Sequence, residues 1–316
     1  SGMNRGITMI LKNDSPTILI TGGNGQVGFE LQRQFSLFGT VQAPSRHVLD
    51  LSDAQAVDVY LAEHQPSVIL NAAAYTGVDN AEGERELASR LNTELPAQLA
   101  DYAAKQGAIL VHYSSDYVYP GDGDSPWLED SPTGPLSVYG QTKLEGDNAV
   151  SSSGCEHLIF RTSWVYAARG NNFMKTMMRL GRERDALSIV NDQVGAPTPA
   201  RLIAQVTAMA FQTSPLRLRI AAGIYHLAPR GETSWYGFAK EIFGQAREYG
   251  EPLLMTPEAV TGIPTVDYPT PAKRPLNSRM QLHKLETALG VILPSWQQQL
   301  AITLNEYCDE SESRVA

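Results

Sequence analysis

The sequence predicts an α/β protein: a Rossmann-type doubly wound parallel sheet with a smaller C-terminal α/β lobe. Three observations predict it. Short apolar strands alternate with helical patterns from residue 17 onward, as in a parallel sheet covered by helices on both faces. Gly22, Gly25 and Gly28 follow the first strand directly. Tyr139 and Lys143 form a YxxxK pair beyond a strand that closes near Ser115.

The elements follow in order. Thr17 to Ile20 is a short apolar strand that enters the glycine cluster. Leu31, Phe35 and Phe38 then fall on one helix face. Val41 and Ala43 mark a second strand, and Val48-Leu49 leads as a third to Asp50. Ser52 is expected to cap a helix over 53–64. Val68 to Leu70 is a buried strand running into Asn71–Ala74. Residues 82–106 read as one long helix with an irregularity at Pro96. Ile109 to Tyr113 is the next strand, and the Pro/Gly-containing stretch 132–136 places Tyr139 near a helix start. Amphipathic helices are expected around 200–212, 234–247 and 281–289. The chain divides on this reading into an extension at 1–16, a mainly dinucleotide-binding part at 17–165, a mainly substrate-binding part at 166–307 with some segments returning to the first, and a tail at 308–316.

Composition narrows the function. A formal charge of −9 argues against a nucleic-acid surface. The two cysteines, Cys155 and Cys308, make neither a disulfide framework nor a thiolate metal site, so a reducing, cytoplasmic setting is expected. No apolar run is long enough to span a bilayer. Ser1-Gly2 before Met3 reads as an expression scar, and residues 3–16 lack the order of a signal peptide.

The glycine spacing meets three demands at once: a tight turn, close backbone approach to a pyrophosphate, and close helix–strand packing. The helix start adds free amides and the positive end of the dipole. Gly22, Gly25, Gln26, Val27 and Gly28 are therefore candidate cofactor contacts. The segment after the second strand, Ala43 to His47, has no carboxylate for a ribose 2′-hydroxyl. Arg46 suits a 2′-phosphate instead, which favours NADPH or dual use with NADH; a solvated loop cation is the alternative. Tyr139 and Lys143, four residues apart on a helix, share one face. A nearby ammonium is expected to lower the phenol's pKa and let it pass a proton to a carbonyl oxygen as hydride arrives. Ser115 supplies a second hydroxyl for that oxygen.

Longer segments carry a resemblance. They include Gly22–Gly28 with Phe29-Glu30-Leu31-Gln32, Asn71 to Thr76 with Val78-Asp79, and His112 to Gly121. Phe160 to Tyr166, Gly170 to Phe173, Asn191 to Thr198, and Tyr268 to Ser278 continue it. From about Thr17 to Tyr307 the chain resembles the dTDP-4-dehydrorhamnose reductase family of the extended short-chain dehydrogenase/reductase superfamily. The resemblance implies NAD(P)H-dependent reduction of a dTDP-linked keto-sugar at C4. It gives Tyr139, Lys143 and Ser115 the catalytic roles, with serine where the family often has threonine. It places Asp50 and Leu51 at the adenine and Ala72, Ala73 and Ala74 beside the cofactor ribose. Asp116 and Trp164 become sugar contacts. Glu30 matches a glutamate that in some members binds Mg²⁺ at a homodimer interface; a lone glutamate on a solvated helix is the plainer reading. Arg274 suits the diphosphate or a structural role. Tyr117 stands where a sugar-nucleotide dehydratase would carry a glutamate. An epimerase on another keto-sugar and a non-catalytic subunit like that of methionine adenosyltransferase remain the alternatives.

Overall fold

The computed structural model describes residues 15–315, with side-chain environments through Asp309. The expectations for residues 1–14 lie outside the described residues. The first half builds β1 (Thr17–Thr21), α1 (Gln26–Phe35), β2 (Thr40–Gln42), α2 (Ala54–His64), β3 (Val68–Asn71), α3 (Leu95–Gln106), β4 (Ile109–Ser115), α4 (Val138–Ser152) and β5 (Glu156–Thr162). The second half adds α5 (Phe173–Glu183), α6 (Ala200–Met209), β6 (Gly223–His226), α7 (Trp235–Glu248), α8 (His283–Leu289) and α9 (Trp296–Val315), with short two-stranded pairings between them.

The main sheet has the order β6-β5-β4-β3-β1-β2, and every pairing in it is parallel. Its central strands are apolar along their length because both faces are covered. Ile18, Ile20, Leu70 and Val111 pack to one side, while Leu19, Ile69 and Leu110 pack to the other. The order reverses between β1 and β3, which opens a crevice at the carboxyl ends of the strands. A separate core joins α5, α7 and α9 through Met174, Met178, Phe238, Phe243 and Leu300. The sixth strand of the sheet comes from beyond residue 200.

Four local expectations are corrected. Val48-Leu49 forms a turn and no strand, so the third strand is Val68–Asn71 and Asp50 precedes α2. The cap of α2 is Asp53, whose carboxylate accepts the Ala56 amide at 3.1 Å, and Ser52 is not the cap. The long helix over 82–106 is divided: α3 starts at Leu95 with Pro96 in its first turn, after a π-helical turn at Arg90–Glu94. Proline has no amide to donate and clashes with a preceding turn, so the helix restarts there. The tail at 308–316 is helical through Val315, and Cys308 is buried in the second core.

Candidate active site

The glycine turn is built as a cradle. Gly22 has φ +67°, and a Cβ there would lie 2.8 Å from the Ala73 nitrogen. A Cβ on Gly28 would lie 2.0 Å from the Gly22 carbonyl oxygen. Helix and strand thus meet backbone to backbone, which only hydrogen side chains permit. Gly25 is the N-cap of α1 and no side chain caps it. The first amides of the helix, at Gln26, Val27 and Gly28, lack intrahelical partners and face the crevice with the positive dipole end. This cradle fits a dinucleotide pyrophosphate. Ala72 and Ala73 form its wall against Gly22, and Ala74 continues that wall in sequence. Asn172 ties the site to the second half by donating Nδ2 to the Gln26 amide oxygen at 2.9 Å.

The adenine end is more open. Arg46 is exposed at the end of the β2 loop, and a Cβ on Gly23 would lie 2.9 Å from Ala43 Cβ, which puts that loop beside the glycine turn. Asp50 accepts from the Ser52 amide and hydroxyl at 3.0 and 2.7 Å. The Ser52 hydrogen bonds hold its carboxyl below the usual range. Leu51 is half-buried, and its carbonyl accepts from Arg90.

Tyr139, Lys143 and Ser115 converge. Ser115 is the last residue of β4, and Tyr139 is the second residue of α4, whose N-cap Ser137 accepts the Gly140 amide at 3.1 Å. The Ser115 hydroxyl lies within reach of the Tyr139 phenol, accepts the Tyr117 amide and donates to Asp116 Oδ1 at 3.2 Å. The Tyr117 ring stands edge-on to Tyr139 with centroids 5.5 Å apart. One expectation is reversed. Burial pushes the Tyr139 phenol up to about 12, and Lys143 is not among the groups pulling it down. Lys143 is buried, donates Nζ to the Tyr113 carbonyl at 2.6 Å, and is itself pushed down to about 8 by burial. The lysine is anchored to the strand by this bond.

The sugar-side candidates divide. Asp116 is 2% exposed, its Oδ2 has no partner, and burial raises its carboxyl to about 6. A buried unpaired acceptor is costly, and a ligand hydroxyl would satisfy it. Trp164 has φ +49°, a strained value for a bulky aromatic residue. Its ring stacks on Trp235 at 3.9 Å and lies against Gly195, where a Cβ would come within 3.2 Å of it. Arg274 does not present a free guanidinium: Asp79 takes both of its terminal nitrogens at 2.7 and 3.2 Å, and Thr270 takes a further bond. The pair joins the Pro-rich 264–275 strap to the segment after β3. Glu30 is neither solvated nor free. It is 7% exposed and receives Arg201 at 3.3 and 3.4 Å, while Arg201 also reaches Glu306 at 2.8 Å. Among the described residues no three His, Cys, Asp or Glu side chains are placed to hold a metal ion.

Sequence reasoning missed Asp147, Trp235 and the Asp79 side of the clamp. Asp147 carried a signal: it stands four residues beyond Lys143 on the same helix. Among the described residues no helix is long and apolar enough to cross a membrane.

Residues 16–308 match the family model described as RmlD substrate binding domain. The chain is 46% identical over 293 residues to dTDP-4-dehydrorhamnose reductase of Escherichia coli, covering 92% of this chain and 97% of that one. A solved dTDP-4-dehydrorhamnose reductase of Clostridium acetobutylicum superposes with a TM-score of 0.83 at 37% identity, covering 92% and 98%. One from Bacillus anthracis, solved in complex with NADP, superposes at 0.84 with 33% identity, covering 93% and 100%.

Proposed function

The chain belongs to the dTDP-4-dehydrorhamnose reductase family, and from that membership we propose that it reduces the C4 ketone of dTDP-4-dehydro-L-rhamnose with NAD(P)H to give dTDP-L-rhamnose. The observation that carries the reading to this chain is the placement of Ser115 at the carboxyl end of β4 and of Tyr139 in the first turn of α4, with the uncapped glycine turn at the carboxyl end of β1.

The α1 amides bind the pyrophosphate, and Arg46 favours a 2′-phosphate, so NADPH is the preferred cofactor. A nicotinamide held in this crevice would supply the hydride for C4. Ser115 donates to the ketone oxygen and orients it toward Tyr139. Tyr139 gives its phenolic proton to that oxygen as the C–O group becomes an alkoxide. Lys143, as an ammonium one helical turn from Tyr139, would stabilise the tyrosinate left behind and would hold a ribose hydroxyl of the cofactor. Asp116 accepts from a sugar hydroxyl, and Trp164 walls the ring.

A dehydratase reading is disfavoured by Tyr117, which packs on Tyr139 where a second carboxyl would be needed. The test is oxidation of NADPH and NADH by the protein with dTDP-4-dehydro-L-rhamnose, with the product identified. Turnover to dTDP-L-rhamnose supports the assignment. Cofactor binding without turnover moves the chain to another keto-sugar or to a non-catalytic role.

A further inference from the structure

A line of buried polar groups runs from the cofactor crevice to α4. The Ala73 amide donates to Thr21 Oγ1 at 3.2 Å, and that hydroxyl donates to Asn71 Oδ1 at 2.7 Å. Asn71 Nδ2 lies 3.1 Å from His112 Nδ1. Because the Asn71 oxygen is already accepting, its amide donates to the ring, and the His112 proton sits on Nε2. His112 Nε2 faces Asp147 Oδ1 at 3.6 Å, and neither atom has another partner. Asp147 Oδ2 accepts Ser114 Oγ at 2.7 Å and Arg161 Nε at 3.0 Å. Asp147 is 0% exposed, His112 1%, and Lys143 and Arg161 2% each. The line starts at the wall of the cofactor crevice and ends one helical turn beyond Lys143.

We infer that Asp147 is a positioning residue that keeps the proton on Lys143. The inference rests on the catalytic reading of Lys143 and Tyr139 given above. One carboxylate shares the buried interior with two cations: Arg161 on β5, which meets it at 3.0 Å, and Lys143 one turn before it on the same helix. From β4 it meets His112, which stays neutral, and Ser114. His157 acts on His112 from β5, and Tyr119, bonded to Arg161 and His226, closes the far side with Glu129. Burial raises the Asp147 carboxyl, but the Arg161 guanidinium cannot shed its charge and holds the anion. That anion opposes the burial that strips Lys143 of its proton, and it also disfavours tyrosinate at Tyr139. One group thus keeps both the acid and its stabilising cation protonated before reaction.

The test follows kcat/KM and NADPH affinity across the neutral to alkaline range for wild type, Asp147→Asn, Asp147→Glu and Lys143→Met. Removing an opposite charge one helical turn away is expected to shift a buried ammonium by about one pH unit. In Asp147→Asn the alkaline limb of kcat/KM is expected to move down by that amount, and Asp147→Glu to restore most of it. If Asp147→Asn alone does not fold, leaving Arg161 uncompensated, Asp147→Asn/Arg161→Gln removes both charges, and a smaller downward movement of the same limb is expected. A folded variant whose rate falls equally at every pH overturns the inference. Full turnover by Lys143→Met overturns the catalytic reading and the inference with it; loss there beside an unshifted Asp147→Asn profile overturns the inference alone.

Discussion

Gly28→Ala tests the cradle most directly. Its Cβ would lie 2.0 Å from the Gly22 oxygen and 2.9 Å from the Gly23 Cα, whereas real Cβ contacts essentially never fall below 3.0 Å. The obstacle is backbone, so α1 must retreat from β1 by about 1 Å. An amide-to-phosphate bond of about 2.9 Å then opens to about 3.9 Å and is lost. Each hydrogen bond to a charged group is worth about 1.5–3 kcal/mol, so losing one weakens cofactor binding about 10- to 150-fold. Overpacking also costs about 1–3 kcal/mol of stability, a fall in Tm of several degrees. Gly107→Ala is the control. Unlike Gly28 it has a positive φ, +68°, and nothing lies within 4 Å of its Cβ. It costs about 1 kcal/mol of backbone strain and leaves cofactor affinity unchanged. Fluorescence titration with NADPH and thermal melts read both effects. A Gly28→Ala protein that binds NADPH as wild type does would refute the cradle.

Other outcomes follow from the same geometry. Tyr139→Phe removes the proton donor while keeping the ring, so kcat falls by roughly two to four orders of magnitude with NADPH affinity preserved; comparable loss of affinity would make the residue structural. Arg46→Ala weakens NADPH binding by about tenfold, the value of one charged hydrogen bond, and leaves NADH untouched; equal effects on both would place the arginine away from the 2′-phosphate. Chelating divalent cations leaves turnover unchanged, because Glu30 and Glu306 are both engaged by Arg201; a rate restored only by Mg²⁺ would contradict that pairing. Stability falls on acidification. Burial pushes His226 down to about 3 and holds His112 well below its ordinary value. Unfolded, both titrate near 6.5, so below that pH the unfolded chain binds more protons and is favoured by about 1.4 kcal/mol per unit per histidine. Asp116, raised to about 6, works the other way and recovers about 1 kcal/mol by pH 5. Urea unfolding at pH 7.5 and pH 5 should differ by roughly 2–3 kcal/mol; equal stabilities would mean that the histidines are not held neutral.

Local pattern made the strands, the glycine turn and the order of Ser115, Tyr139 and Lys143 legible. Each depends on chemistry within a few residues of itself. Arg274 and Glu30 were not legible, for one shared reason. Their partners are remote: Asp79 lies 195 residues from Arg274, and Arg201 lies 171 residues from Glu30. A charged side chain read alone looks available, and only the fold reveals the carboxylate or guanidinium that has claimed it. Trp164 shows the reverse case. Its aromatic character was readable, but its left-handed backbone and its stacking on Trp235 depend on Gly195 leaving room. The break at Arg90–Glu94 had a local cause in Pro96, yet its form as a π turn depends on tertiary bonds. There Asn92, 0% exposed, bonds the backbone of Tyr75 and the Thr142 hydroxyl.

The electrostatics of the triad bear on the protonation state in which it meets a ketone. A residue that must first remove a proton works best with a pKa near the operating pH. With its pKa at about 12, Tyr139 is almost wholly protonated at neutral pH and is poorly placed to start as a base. It is well placed to start as an acid, because an alkoxide forming at C4 is more basic than a phenolate and takes the proton readily. The cost falls on the tyrosinate, which must exist briefly in a buried site. Lys143 answers that cost only while it is charged, and at about 8 its proton is held with little margin. The site is therefore prepared for reduction by two separate conditions, a phenol that keeps its proton and an ammonium that keeps its own. Both draw on the Asp147 carboxylate, which Arg161 and Ser114 hold in the interior.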